Sequence, residues 1–423
     1  LALAVTAFAM LSAGAGAQEP APAMQEDRLA PDLRQALEVL PAGERLPVIV
    51  TFEEQADLGQ ITGATRAERL ERVVRTLQQT AKATQLPIRA VLEAQRLADQ
   101  VDQVTYFWIF NGMSMTAAPE VITEFTYRPE VRSIDLDETI PAPAPALSLA
   151  PSVSSLSASE ENLTVINAPA LWQLGFQGQG VVVANMDSGV SVSHPDLAAQ
   201  WRGGTNSWFD PYGEHPTSPS DLAGHGTATM GVMVGRDAGG TDIGVAPLAQ
   251  WIAVKIFDDR GNATATAIHL GFQWLLDPDG DPSTPDAPHV VNNSWSIGNT
   301  DCDLAFQLDL QALRAADIVP VFSAGNTGPG DATSVSPANN PEAFAVGATD
   351  NLDQIYVESA RGPSACGELS TLYPEMVAPG VDIRTTGLYG TYLTDSGTSL
   401  AAPHVAGALA LLWSAFPNLT VAQ

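Results

Sequence analysis

From residue 180 to residue 413, short apolar runs alternate with stretches of helical spacing, and few folds can accommodate that alternation. Strand-like runs occupy residues 180–186, 250–257, 290–294, 318–323, 343–348 and 376–378. Helical spacing opens near His225 and recurs over 263–275, 304–316 and 399–413. Strands separated by helices pair in parallel, and a parallel sheet must be covered on both faces before its apolar side chains leave water. The expected architecture of residues 160–423 is therefore α/β, a doubly wound parallel sheet.

The residues before it read differently. A β-rich run at 46–52 is followed by helical spacing over 66–85 and again over 88–104. Residues 105–115 read as one strand, 119–125 as a short helix opened by Pro119, and 131–136 as a further strand. Together these make a small α+β domain within residues 18–140. Pro, Ala and Ser crowd residues 141–159, which cannot build a core and are expected to form a linker. At the start, an apolar run over 1–13 precedes Ala15-Gly16-Ala17, an A-x-A cleavage pattern, so residues 1–17 are expected to be a signal peptide of an exported chain. A membrane anchor would need about 18–20 uninterrupted apolar residues, whereas this run breaks at Ser12 and Gly14. No Met opens the chain, and Gln423 comes soon after a helical pattern, so a truncated C-terminus is expected too.

Charge narrows the partners. The chain carries 48 acidic and 19 basic side chains, a net charge of −29, and from residue 160 onward the balance is 28 against 7. Nucleic acid and anionic membranes both require a basic surface, so neither is an expected partner. Cys302 and Cys366 could close one disulfide in an oxidising compartment; two buried thiols are the alternative.

Four short words carry chemistry. Asp187 ends the apolar run Val181-Val182-Val183-Ala184-Asn185-Met186, at the edge where parallel sheets place reacting groups, although an Asp there also serves as a turn cap. His225 stands between Gly224 and Gly226 directly before a helix of small residues, where the glycines leave room for the imidazole and for a second backbone. A lone His is otherwise a surface or capping residue. Ser399, after Gly397-Thr398, opens the last helix, as an N-cap or as a nucleophile whose developing negative charge is favoured by free N–H groups and the positive helix end. A serine is a weak nucleophile that needs a base, and the base needs an orienting acid; the three words together supply that set. Asn326, in Ser323-Ala324-Gly325-Asn326, is either a turn residue of positive φ or a donor to the oxyanion of a tetrahedral intermediate.

In the order Asp, His, Ser, these words resemble the subtilisin family. Gly244-Val245-Ala246-Pro247 and Ala378-Pro379-Gly380 match that family as well, and Trp251-Ile252-Ala253-Val254-Lys255 and Val291-Asn292-Asn293-Ser294-Trp295 resemble bacillopeptidase F and its relatives within it. The resemblance covers residues 160–423 and implies a secreted serine endopeptidase acting on polypeptides through an acyl-enzyme. Ser399 would attack, His225 would take and return its proton, Asp187 would orient His225, and Asn326 with the Ser399 N–H would form the oxyanion hole. Ser294, Trp295 and Ser296 would be the edge strand that pairs with an extended substrate. Ser296 stands where that strand usually has Gly, Val335 lies near a Gly that usually floors the primary pocket, and Leu400 replaces a common Met. Residues 18–140 would be a propeptide, a folding assistant and intramolecular inhibitor released by a cut between about 139 and 162.

The resemblance implies no cofactor for the chemistry, but it does imply structural calcium, through Asp196 in His194-Pro195-Asp196-Leu197. Ala238 occupies the place of a usual Asn partner. Independently, Asp277, Asp279, Asp281 and Asp286 surround Gly280 and offer hard oxygen ligands at EF-like spacing, unless the loop is simply solvated. Two other functions use the same words. A silent binding module would be expected to lack a triad member, and an ester hydrolase of the lipase type would be expected to carry a Gly-x-Ser-x-Gly elbow, which this sequence does not show.

Overall fold

The computed structural model describes residues 26–143, 159–367 and 372–423. The expected signal peptide at 1–17 and residues 144–158 of the expected linker lie outside the described residues.

Residues 26–143 form α1 (Pro31–Val39), β1 (Leu46–Phe52), α2 (Arg66–Leu97), β2 (Val101–Phe107), β3 (Gly112–Ala117), α3 (Pro119–Thr126), β4 (Val131–Leu136) and β5 (Thr139–Pro141). Strands β2-β3-β1-β4 make an antiparallel sheet in that order. Two expectations are corrected here. The helical stretches 66–85 and 88–104 are one helix that continues through Pro87 and stops at Leu97. Proline in a helix interior costs about 3 kcal/mol. Here α2 is held on both sides of it: Leu70, Val73, Val74 and Leu77 pack into the core shared with the larger unit, while Ile88 and Leu92 pack into the small sheet's own core. Its start is capped by Thr65, whose hydroxyl accepts the Glu68 N–H at 3.2 Å. The second correction concerns 105–115, which is a hairpin, β2 turning into β3, rather than one strand. Its apolar turn residues Ile109 and Phe110 are buried against the larger unit, so the turn reads like a strand in sequence.

Residues 159–423 form α4 (Glu161–Val165), α5 (Ala168–Gln173), β6 (Val182–Asp187), β7 (Trp208–Phe209), α6 (His225–Val234), β8 (Gln250–Lys255), β9 (Asn262–Thr264), α7 (Ala265–Leu276), β10 (Val290–Asn293), α8 (Gln307–Ala315), β11 (Val319–Ser323), β12 (Phe344–Thr349), β13 (Met376–Pro379), β14 (Ile383–Thr386), β15 (Tyr392–Asp395) and α9 (Thr398–Ala415). Seven strands pair in parallel in the order β13-β12-β11-β10-β6-β8-β7, which is the doubly wound sheet the alternation required. Successive residues of β6 serve opposite faces: Val183 packs with Met230 and Val405 of α6 and α9, while Ala184 and Met186 pack with Ile268 and Phe272 of α7 and Leu310 of α8. Strand order reverses at β6, with β8 on one side and β10 on the other, so the crevice outside the carboxyl ends of these strands is the expected ligand site. The β14–β15 hairpin has no counterpart among the sequence expectations.

The two units share a core. Leu77, Phe107 and Phe110 pack with Phe272 and Leu313 across the seam. The Gln273 side-chain oxygen accepts the Trp108 and Ile109 N–H groups at 2.7 and 3.2 Å. The Asp137 carboxylate accepts the N–H and hydroxyl of Thr266 at 2.9 and 2.7 Å, in the first turn of α7, where the positive helix end favours an anion. Beyond Asp137, β5 lies antiparallel on β9, and the Ala142 N–H donates to the Gly261 carbonyl at 2.8 Å.

Cys302 and Cys366 form the expected disulfide, with Cα atoms 4.8 Å apart. In the chain-entropy account, closing so long a loop is worth about 4 kcal/mol. Among the described residues, α9 is the one helix long and apolar enough to cross a membrane, but 67% of it is buried, as befits a core helix.

Candidate active site

Asp187 is the last residue of β6 and His225 the first of α6, and the fold brings them into contact. The His225 Nδ1–H group faces both Asp187 oxygens at 2.9 Å, with Asp187 fully buried and His225 nearly so. Gly226 permits the approach, since a Cβ there would stand 2.2 Å from the Gly189 carbonyl oxygen and 3.1 Å from Asp187 Cβ. Burial alone would lower the His225 pKa. The charge and hydrogen bond of Asp187 outweigh it, with Asp221 and Asp395 adding to them, so His225 is held above its ordinary value.

Asp221 is a site residue that sequence reasoning missed. One of its oxygens accepts the Ala223 and Gly224 N–H groups and the Ser188 hydroxyl; the other accepts the Thr227 N–H and hydroxyl. It thereby caps the start of α6, fixes His225, and ties that turn to Ser188 beside Asp187. The only sequence signal was an Asp four residues before a histidine flanked by glycines.

Ser399 is the second residue of α9, where N–H groups of the first turn lack helical partners. Its hydroxyl donates to the Ser294 carbonyl at 3.4 Å and makes no hydrogen bond to His225 in this structure. Ser294 in turn donates its hydroxyl to the Ser399 carbonyl at 2.8 Å. Behind it, the Asn292 amide donates to Ser294 Oγ and to Asn185 Oδ1, both at 2.9 Å, so a chain of buried polar groups links the strand of Asp187 to the helix of Ser399. Asn326 is exposed at the end of β11, and its Oδ1 accepts the Thr398 N–H and hydroxyl, both at 2.9 Å. Thr398, also absent from the sequence expectations, thus holds the Asn326 amide by its oxygen. Gly397 leaves the amide space, because a Cβ there would lie 3.2 Å from Asn326 Nδ2.

Ser294, Trp295 and Ser296 extend β10 beyond its last paired residue rather than forming a separate strand. The Trp295 ring is buried among Phe272, Phe306 and Phe322, so its side chain belongs to the core, and this segment can offer a substrate its backbone. Val335 is buried against Gly325, and Leu400 against Val232 and Ile383. A cavity of about 590 Å³ lies at the seam, between Phe110 and Ile140 on one side and His269 and Phe306 on the other, and is not lined by Asp187, His225 or Ser399.

The acidic residues expected to bind metal separate into two groups. Asp196 does not fit a cation site: its oxygens accept the Ala238 N–H at 2.7 Å and the Tyr392 hydroxyl at 2.6 Å, so protein donors occupy both. Asp277 and Asp279 converge with Asp286 rather than with Asp281. Asp279 accepts the Asp281 N–H and the Thr284 hydroxyl at 2.9 and 2.8 Å, and Asp281 accepts the Ser283 N–H and hydroxyl at 3.0 and 2.7 Å. Burial, then the neighbouring charges of Asp279 and Asp286, push the Asp277 carboxyl up to about 6.

A buried Asp-His pair at the switch point of a parallel sheet, a serine opening a core helix and an asparagine just beyond β11, anchored to Thr398, are now all in place. The family model described as "Subtilase family" matches residues 178–423. The chain belongs to the subtilase family. It is 37% identical over 381 residues to bacillopeptidase F of Bacillus subtilis (strain 168), a match covering 84% of this chain and 26% of that protein. It is 36% identical over 263 residues to subtilisin E of the same organism, covering 62% of each, and 36% identical over 263 residues to subtilisin of Bacillus pumilus, covering 62% of this chain and 86% of that one. This subtilase therefore spans about a quarter of bacillopeptidase F and under two thirds of subtilisin E.

Proposed function

We propose that this subtilase chain is a serine endopeptidase, made as a secreted proenzyme that processes itself. The observation that carries the reading is the buried Asp187–His225 pair beside Ser399 and the anchored Asn326 amide. Asp187 occupies Nδ1 of His225, which leaves Nε2 as the base. The reading requires the Ser399 side chain to rotate away from the Ser294 carbonyl and carry its hydroxyl to Nε2, an adjustment in keeping with the loose catalytic contacts common in apo enzymes. Ser399 then attacks the scissile carbonyl, His225 takes the proton and hands it to the leaving amine, and water releases the acyl group by the reverse sequence. The Asn326 amide and the Ser399 N–H stabilise the oxyanion. The chemistry requires no cofactor, and structural calcium belongs to the reading as a stabiliser apart from the triad.

Residues 18–140 act as the propeptide and intramolecular inhibitor in this reading. Three observations support it. The tail at β5 lies on β9 in the extended, main-chain mode by which a peptide is held, with Ile140 buried. Asp137 caps α7 from the same tail. The match to bacillopeptidase F runs over 381 residues, more than the 178–423 segment holds, so it reaches into this unit. Export is supported by the apolar run before Ala15-Gly16-Ala17 and by a disulfide suited to an oxidising compartment.

Exposure of the folded, processed chain to a biotinylated fluorophosphonate tests the reading: one label is expected, on the peptide containing Ser399, with parallel loss of turnover of peptide amides. A folded chain that neither labels nor turns over any amide is a binding module instead. Replacement of Asn326 by Ala is expected to lower kcat by about 10²–10³, the loss known for the equivalent subtilisin donor, with KM little changed. Steady-state kinetics on one amide substrate check it, and a change confined to KM would remove Asn326 from the oxyanion hole.

A further inference from the structure

Among the described residues, β9 pairs with one strand only, the tail strand β5. Its backbone groups alternate between two sides. Toward the tail, the Gly261 carbonyl accepts the Ala142 N–H at 2.8 Å, and just past β9 the Ala265 N–H donates to the Glu138 carbonyl at 3.1 Å. Asn262 and Thr264 turn theirs to partners outside any sheet. The Asn262 N–H donates to the Asp258 carboxylate and its carbonyl accepts the Asp258 N–H, both at 2.8 Å. The Thr264 N–H donates to the Tyr212 hydroxyl at 3.0 Å, and that hydroxyl donates to the Ile256 carbonyl at 3.0 Å. One side chain thus joins the residue that enters the loop to the residue that ends β9.

Tyr212 is itself mounted on the main sheet. It follows the edge strand β7, which lies beside β8 and whose Phe209 stacks on Trp274 of α7, with ring centroids 5.7 Å apart. From there the Asp210 carboxylate accepts the Tyr212 and His215 N–H groups at 2.9 and 2.6 Å. Glu214 accepts the Asp259 N–H at 2.9 Å, so the same segment grips the loop at a second place. Burial pushes the Tyr212 hydroxyl up to about 12, so it keeps the proton it donates throughout the range in which a histidine acts as base. Without the tail, β9 has no partner strand to hold it extended, and its shape then rests on the bonds of its other side.

We propose that Tyr212 is a positioning residue for the peptide substrate. By bonding the far side of β9, it keeps the near side extended, with the groups that hold Ile140 and Ala142 ready for a substrate that takes the place of the tail. A strand held in its bound form spares a peptide the cost of ordering it. The assignment rests on the protease reading, since the peptide it positions is the substrate of Ser399.

The test compares two reactions of the processed full chain. A small fluorophosphonate needs only Ser399 and its base, whereas a six-residue peptide amide also reaches along β9. Tyr212→Phe is expected to label at the parental rate and to lose about tenfold in kcat/KM on the amide, because one lost hydroxyl leaves two backbone groups unmet. Glu214→Ala, at an exposed position, loosens the second grip and is expected to lower the ratio of amide turnover to labelling a few fold. If Tyr212→Phe does not fold, the ratio in Glu214→Ala decides, and a parental value there overturns the assignment. An active parent whose Tyr212→Phe variant keeps the full ratio, or loses labelling and turnover alike while folded, overturns the assignment alone. A folded parent that neither labels nor cleaves overturns the protease reading, and the assignment with it.

Discussion

Exchange of Ser399 for Ala is expected to lower kcat on a peptide amide by about 10⁶-fold, the order known for the subtilisin serine, and to leave the N-terminal unit attached. A factor of that size is about 8 kcal/mol of transition-state stabilisation, more than any single hydrogen bond supplies, because removing the nucleophile disables His225 and Asp187 with it. Binding should change little. The Ser399 hydroxyl makes one long contact to Ser294, and the exchange leaves the backbone of residues 294–296 and of β9 untouched. Purified proteins, compared by kinetics at matched protein concentration and by the mass of the chain on a gel, check both parts. A variant that still releases its N-terminal unit at the parental rate would show that processing is the work of another protease.

Asp187→Asn is expected to cost about 10⁴-fold in kcat, because an amide at that position can donate to Nδ1 and so stabilise the wrong imidazole tautomer. A second signature is the pH profile. In the parent the base must be neutral, and Asp187 holds His225 above its ordinary value, so kcat/KM should rise with pH through a midpoint above the usual histidine range near 6.5. Removing the negative charge withdraws the main force that raises His225 and leaves the burial that lowers it, so the acid limb of the residual activity should move to lower pH. Kinetics from pH 5 to 9 distinguish the two enzymes. A limb that stays in place would mean that His225 is not the titrating base.

The three residues proposed as the triad are each marked by their immediate neighbours in the sequence. Asp187 ends an apolar run, His225 sits between glycines that a close approach demands, and Ser399 follows a glycine at a helix start. The supporting residues carry no such mark. Asp221 holds the turn before α6 through five donors, three of them backbone N–H groups, and Thr398 holds Asn326 from 72 positions away. Nothing in a short window distinguishes them from any Asp or Thr in a loop. Trp295 belongs to a segment expected to pair with substrate through its backbone, and its size and burial, which put the ring in the core, leave the backbone as the part that can do so.

For this chain, then, the sequence alone determined the class of sheet and carried the words of the family, because periodicity and short motifs are local properties. Tertiary structure decided the rest. Only packing on two separate cores shows why α2 runs on through Pro87, and only the shared seam explains an apolar turn that reads as a strand. Likewise, Asp286 rather than Asp281 completes the acidic cluster because the loop folds back on itself, and Gln78 meets Asp277 across 199 positions of sequence. Such partnerships arise when buried polar groups must find donors and apolar faces must find cover, and both requirements are met by whichever residues the whole fold brings close.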